Sequence, residues 1–518
     1  MSEKNAFQRF ASEQYFSGDR TLELTGTGPN ERRTISREDL GFYNAVVVSA
    51  VYEFAGENID VKSVHSFVQP LNRCIEEHPH LTVVIKDAHT EKPYYESVSN
   101  INLADHVFML GDDEARDDDT ATLEKILPPI LDQPWPPSVP PWRIVVLSLP
   151  PQRGTKIPRC LIAFAFSHTI GDGIAGLAFH RTFLDACQLQ TTTNEETFMF
   201  TVPRPTLPAP FDTPQTLPIS WSFLLGPLIA VLLPKFIANF LGLHAAASTV
   251  DAGTWTGSPI FFNPGSLYSK IRLLEIEGPL VKKALQVSRT HDAKLTGTIH
   301  QLIVRALSKA LPDRNITNFV SGTAINMRGS VGAPNYEWGL YVSGYYEAHP
   351  RVDAATGLTD AMWAAASSMT KNLAECAVTL QDQAIGLLRY APSIRNWTLG
   401  KIGDQRDSSY EVSNLLVFDG SGEGKRSRIT KMVFAQPGNT PSAPLVFNLV
   451  SVKGGSMMCA VSWQEGALGI PLEQETAFVD EIILSLRADF EGLGNIPGEP
   501  VCFDGGSLNE ADAVFGLK

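Results

Sequence analysis

The stretch Leu161-Ile162-Ala163-Phe164-Ala165-Phe166-Ser167-His168-Thr169-Ile170-Gly171-Asp172-Gly173 decides how the rest of the chain is read. Its first six residues are an unbroken apolar run bounded by polar sequence, the pattern of a strand buried on both faces. The run stops at a histidine, and two glycines then bracket an aspartate. The apolar segment from Ile174 to Leu184 is expected to be the helix that follows. A histidine at the end of a core strand, with a carboxylate four residues on across a glycine turn, can be aimed into a cleft as a general base.

The same residues spell Gly171-x-Gly173-x-x-Gly176, a dinucleotide-binding pattern when a second strand follows the helix. Here the helix runs out into Gln188–Glu196, which is polar, and then into proline-rich sequence, so no such unit closes. The chain has no G-x-S-x-G, H-E-x-x-H or phosphate-binding P-loop pattern, and Ser368-x-x-Lys371 stands without the companion motifs of serine acylases.

A chain of 518 residues exceeds one ordinary core. The net charge of −14 argues against a nucleic-acid partner, which needs clustered cations. Six cysteines lie scattered with no C-x-x-C, which fits neither a zinc site nor a disulfide framework, and no metal is expected. The first residues are polar and lack the apolar core of a signal peptide, so a cytoplasmic location is the expectation.

Residues 1–40 are polar, and the first strand is expected at Ala45–Phe54. A helix over 61–75 capped by Asp60, a strand at Leu81–Ile85, an acidic loop over 112–119, proline-rich sequence to Pro141 and a strand from Trp142 follow. Prolines crowd 203–218. Leu217–Leu233 carries no charge but is cut by Pro227, so 217–243 is expected to be a buried inter-domain wall or a surface touching lipid. The second half restarts the alternation, with a strong amphipathic helix over 294–310 and a closing helix over 472–490. The expected fold class is α/β, in three parts: 1–190 with the histidine motif, a linker over 191–260, and 261–518.

The heptad Ser167–Gly173 resembles the H-x-x-x-D-G signature of the CoA-dependent acyltransferase superfamily. That group includes plant BAHD acyltransferases, chloramphenicol acetyltransferase, carnitine acyltransferases and peptide condensation domains. The wider chain is similar to the fungal alcohol O-acetyltransferase branch, through Leu40-Gly41-Phe42-Tyr43 with Tyr52, His78-Pro79-His80-Leu81, Trp142-Arg143, Ala324-Ile325-Asn326-Met327-Arg328 and Tyr410-Glu411-Val412-Ser413-Asn414-Leu415. Two departures stand out. Ser167 replaces the first of the two histidines usual in condensation domains, and Asn335-Tyr336-Glu337-Trp338-Gly339 only loosely echoes the plant D-F-G-W-G motif.

The resemblance implies two similar α/β domains, as in chloramphenicol acetyltransferase, with a channel between them. Its co-substrate would be acetyl-CoA or another acyl-CoA, and its acceptor a small hydrophobic alcohol or a secondary metabolite. His168 would be the base, with Asp172 and Gly173 shaping its turn and Arg328 pairing with Asp172. Ser413, Asn414 and Trp338 would line the channel or hold the oxyanion, and Lys425, Arg426 and Arg428 would meet CoA phosphate. A monomer is expected. Two other readings stay open: a condensation-type enzyme using a carrier-protein thioester, and a non-catalytic lipid-associated protein of the same fold.

Overall fold

The computed structural model describes residues 24–493 apart from 56–58, 117, 153, 189–196, 203–205, 233–249, 264, 266–268, 354–356 and 421–425, with the backbone alone of 24, 25, 227, 228 and 230–232. The first part runs β1 (Leu24–Gly26), α1 (Pro29–Asp39), β2 (Val46–Phe54), α2 (His65–Glu77), β3 (Val83–Lys86), β4 (Tyr94–Ser97), β5 (Asn100–Asn102), β6 (Val107–Met109) and α3 (Asp119–Asp132). It continues through β7 (Trp142–Leu149), β8 (Arg159–Phe166), α4 (Gly173–Ala186), β9 (Met199–Thr201) and α5 (Trp221–Leu232). The second holds β10 (Ser269–Ile276), α6 (Gly278–Thr290), α7 (Leu295–Ala310), β11 (Asn318–Asn326), β12 (Val342–Pro350), α8 (Asp360–Val378) and α9 (Ile394–Gly400). After these come β13 (Tyr410–Phe418), β14 (Ser427–Ala435), β15 (Leu445–Val452), β16 (Met457–Gln464) and α10 (Leu472–Leu493).

Two large sheets organise the α/β architecture. One has the order β14-β2-β8-β7-β6, the other β10-β16-β15-β13-β11-β12. β8 is central in the first, antiparallel to both β2 and β7, which is why both its faces are apolar. α4 lies on one face, where Phe164 stacks on Phe179 with ring centroids 3.7 Å apart. Gly176 permits this approach, because a Cβ there would overlap Val48 of β2.

The opposite face carries α3. Leu123, Ile126, Leu127, Ile130 and Leu131 of that helix pack with Val47 and Val51 of β2 and with Ile271 and Leu273 of β10. α3 also ties the sheets together by hydrogen bonds: Asp132 accepts from the Ser269 backbone N–H at 2.7 Å, and Glu124 from that of Leu273 at 2.6 Å.

Three expectations need correcting. β14 belongs by sequence to the second half yet pairs antiparallel with β2 as the edge of the first sheet, so a cut at 261 does not separate the sheets. The reason is packing, since Ile429, Met432 and Phe434 are buried in the first core. The stretch read as acidic loop and proline-rich sequence contains α3, which runs through Pro128 and Pro129 because its apolar face is buried along its length. The polar opening segment contains α1, and the second helix begins at His65 rather than at 61.

α1 starts by rules that need no apolar stripe. Pro29 occupies its first position and the Glu31 carboxylate accepts from the Gly28 N–H at 2.6 Å, the one half of a capping box that a glycine N-cap allows. It ends at Gly41, whose φ of 74° lets Gly41 N–H reach Glu38 O and Phe42 N–H reach Arg37 O, both at 2.8 Å. That stop delivers Tyr43 to the cavity described below.

In the expected linker, Leu217 and Leu224 are buried while Trp221, Leu225 and Ile229 of α5 are exposed, Trp221 by 74%. Among the described side chains of α5 only Leu224 is buried, and it lines the cavity described below. Residues 233–243 of the apolar segment lie outside the described residues. Among the described residues no helix is long and apolar enough to cross a membrane.

Candidate active site

His168 stands two residues past the end of β8, and the turn that presents it is fixed at successive carbonyls. Tyr95 Oη donates to Thr169 O at 2.6 Å and Trp338 Nε1 to Ile170 O at 2.7 Å. His168 Nδ1 lies 2.9 Å from Gly171 O. A carbonyl only accepts, so Nδ1 carries the proton and the neutral ring keeps its lone pair on Nε2. Among the described residues nothing hydrogen-bonds Nε2, and His168 lines a cavity of about 660 Å³. Burial, reinforced by Arg33 and Arg37, pulls the imidazole down to about 4, so it is neutral at pH 7.

Asp172 is the N-cap of α4. Its Oδ1 accepts from the backbone N–H groups of Ile174 at 3.1 Å and Ala175 at 3.2 Å. Arg328 grips both oxygens at 2.9 Å, and the Tyr341 N–H reaches Oδ2 at 3.0 Å. Asp172 is 1% and Arg328 0% exposed. This two-pronged pair joins the histidine turn to the segment after β11, so one contact sets the turn and holds the two halves in register. Gly173 opens α4 on the cavity wall, where a Cβ would crowd Leu415 and Phe434.

The other expected residues divide. Ser413 of β13 lines the cavity. Asn414 does not: its side chain accepts from Leu416 N–H at 2.8 Å and donates to Thr296 at 3.1 Å, holding the bulge at Asn414–Val417 where Leu416 adopts a φ of 64°. Trp338 is 3% exposed and packs on His78, Phe164 and Phe166, so it supports the histidine turn from the core rather than lining the channel. Arg428 is ion-paired with Glu53 at 2.6 Å near the far end of β14 from Phe434, the residue of that strand on the cavity wall. Arg426 sits exposed beside it, and Lys425 lies outside the described residues. The expected phosphate cluster is thus away from the cavity, with one of its charges already neutralised.

The cavity wall also holds residues that the sequence pattern did not single out. Arg33 and Arg37 of α1 line it, with Tyr43, Tyr346, Glu411 and Gln436. Beside it, the Ser167 hydroxyl donates to Glu38, whose carboxyl is pushed up to about 8 by burial. Ser167 is 0% exposed, so the position that is histidine in condensation domains is here part of a buried hydrogen-bonded cluster with Glu38 and Thr169. The signal for α1 was present in Pro29 and Glu31, but the helix has too few apolar residues for periodicity to find it. Among the described residues no group of His, Cys, Asp or Glu converges as a metal-ligand set.

A histidine whose Nε2 has no hydrogen-bond partner among the described residues, on the wall of a cavity lined from both halves of the chain, is an arrangement that acyl transfer can use. The alcohol acetyltransferase family model matches residues 57–484, and the chain belongs to that family and is an acyltransferase. A probable alcohol acetyltransferase of Fusarium pseudograminearum, FCK4, is 23% identical over 450 residues, 80% of this chain and 84% of its own length. An uncharacterized protein of Schizosaccharomyces pombe is 23% identical over 499 residues, 91% and 97% of the two chains. Among solved structures, the trichothecene 15-O-acetyltransferase TRI3 of Fusarium sporotrichioides has a TM-score of 0.62 at 11% identity, covering 94% of this chain and 98% of its own. TRI101 of F. graminearum, solved with coenzyme A and deoxynivalenol, has a TM-score of 0.53 at 12% identity, covering 86% and 97%.

Proposed function

We propose that the chain is an acyl-CoA-dependent O-acetyltransferase acting on a hydroxylated small molecule, with His168 as the general base. The acceptor hydroxyl gives its proton to His168 Nε2 as its oxygen attacks the thioester carbonyl. The tetrahedral intermediate collapses, the C–S bond breaks, and the thiolate recovers the proton from His168, leaving ester and free CoA. Ser413, on the cavity wall, is the candidate donor to the oxyanion. Asp172 and Arg328 take no proton; they hold the turn.

The observation that carries this reading is the His168 Nδ1 contact to Gly171 O, which fixes the tautomer and directs the only basic lone pair of the ring into the cavity. The cavity volume of about 660 Å³ is in the range that suits a small-molecule site. The test is acetyl-CoA turnover with a panel of alcohols, alongside stabilisation by acetyl-CoA and longer acyl-CoAs in thermal unfolding. His168→Ala is expected to lower turnover by about 10²–10⁴-fold with the fold intact. Near-normal turnover in that variant would sink the mechanism.

A further inference from the structure

Arginines buried in this protein have partners. Arg328 holds Asp172, Arg305 pairs with Asp489, and Arg406 donates to the carbonyls of Ser258, Asn439, Thr440 and Ser442. Arg33 and Arg37 are different. They stand one helical turn apart on the same face of α1, a spacing at which like charges repel. Both line the cavity that contains His168. Arg33 Nε donates to Asn30 Oδ1 at 3.2 Å, and Arg37 Nε is buried with no hydrogen-bond partner. Among the described residues neither guanidinium is ion-paired, whereas the other lysine or arginine on the wall, Lys401, is held by Asp407 at 3.2 Å.

One carboxylate on that wall, Glu411, accepts from Ser442 and from Asn439 at 3.3 Å and acts on Arg33 through space, but it makes no direct ion pair with either guanidinium. Burial and the neighbouring Arg37 pull Arg33 down to about 9, which is the expected cost of an enclosed pair of cations. Charges taken out of water without a counter-charge are expensive, and they are kept where a ligand supplies one.

We propose that Arg33 and Arg37 form an anion subsite for the acceptor, so that the preferred acceptor is a hydroxylated molecule bearing a carboxylate or another anionic oxygen group. This rests on the acyl-transfer reading of the cavity. Both cations lie near enough to His168 to depress its proton affinity. The phosphates of an acyl-CoA whose thioester sits at His168 are a full pantetheine arm away, so they are not the anions bound here. A carboxylate on the acceptor can reach the pair while its hydroxyl reaches His168, and the forked guanidinium geometry suits it. Arg33 and Arg37 are then specificity-determining residues, placed by the capped ends of α1.

The test has two arms. In the first, without CoA, binding of 4-(hydroxymethyl)benzoate, 3-hydroxydecanoate and the methyl ester of each is measured by calorimetry on the wild type and on Arg37→Met and Arg33→Gln. The acids should bind and the esters should bind roughly 30-fold or more weaker, with the difference lost in the variants. The ligand-free variants should melt no lower than the wild type, since each loses an unpaired charge. In the second arm, acetyl-CoA is added and the ratio of kcat/KM for acid over ester should fall toward one in either variant. Equal binding of acids and esters overturns the subsite, as does acid binding that survives both substitutions. Preference for succinyl-CoA over acetyl-CoA, with acid and ester acceptors equal, moves the anion to the donor and overturns the acceptor assignment. The first arm contains no donor, so failure of the transfer reaction and failure of the anion subsite are read separately.

Discussion

Replacing Asp172 by Asn tests the claim that this carboxylate positions the histidine turn and does no chemistry. The side chain keeps its shape and keeps an oxygen for the Ile174 and Ala175 N–H groups, so the helix cap survives. What it loses is the charge facing Arg328, which is 0% exposed and donates both Nη groups to the pair. Breaking a buried pair from one side costs about 3–5 kcal/mol. Asp172→Ala adds the lost cap at about 1 kcal/mol and leaves the Tyr341 N–H without its acceptor at about 1–3 kcal/mol. Either loss is large beside a total stability of roughly 5–15 kcal/mol.

The decisive measurement is a double-mutant cycle. Asp172→Asn with Arg328→Met removes both charges together, and the double variant should recover roughly 2–3 kcal/mol relative to the sum of the single losses. Unfolding in urea gives the energies, and acetyl-CoA turnover well below the melting transition gives function. Activity should return in proportion to folded protein. Strict additivity would mean that the pair is not coupled. An Asp172→Asn enzyme as stable as the wild type but inactive would refute the positioning role, because the carboxylate would then act on the reaction itself.

His168 is held near 4 by burial and by Arg33 and Arg37, so kcat/KM should be flat from about pH 6 to 8 and fall through an acid limb near 4; a limb near 6.5 would mean that the ring is solvated. Glu38 is raised to about 8, so between its unfolded value and 8 the folded chain holds a proton that the unfolded chain has released. Its contribution to stability is therefore full below about pH 4.5 and is lost as pH rises through 8. Melting temperatures of Glu38→Gln should accordingly gain on the wild type between pH 5 and pH 8, and parallel curves would refute the assignment. Gly176→Ala should cost about 1–3 kcal/mol by forcing α4 off Val48. Gly226→Ala, with open space around it in α5, should be neutral or stabilising by about 1 kcal/mol, and thermal unfolding of the two side by side checks the contrast.

Sequence patterning found the elements whose burial is local in origin. Leu161–Phe166 is apolar throughout because β8 is central, and the 294–310 helix shows an apolar stripe although α7 is buried on all sides from Gly297 to Ser308. It missed elements stabilised by distant polar partners. α1 buries Asn30, Glu31, Thr34 and Ser36, and the Asn30 N–H donates to Asp212, 182 residues along the chain, at 2.7 Å. α3 was hidden by two prolines, and β14 by a pairing with a strand more than 370 residues away. The site divides in the same way. His168 and Asp172 are four residues apart and visible as a motif, while Arg328 was named through family resemblance. Arg33 and Arg37 carried no signal, because what makes them unusual is the absence, among the described residues, of an ion-pair partner in a cavity built from both halves.

The electrostatics of the cavity follow from that last point. His168 shares the cavity wall with Arg33 and Arg37 from α1, Asp172 from its own turn and Glu411 from β13, while Glu38 is bound to the neighbouring Ser167. Burial is the largest cause of the low proton affinity of His168; Arg33 and Arg37 add to it, while Asp172 works against it. With acyl-CoA bound alone, a base near 4 is a poor acceptor for the proton of a stray water, and the thioester is spared. An acceptor that brings its own anion would offset the part of this depression that Arg33 and Arg37 supply, and the imidazole would gain basicity when the right hydroxyl is beside it. Selectivity for the acceptor and protection of the donor would then come from the same two side chains.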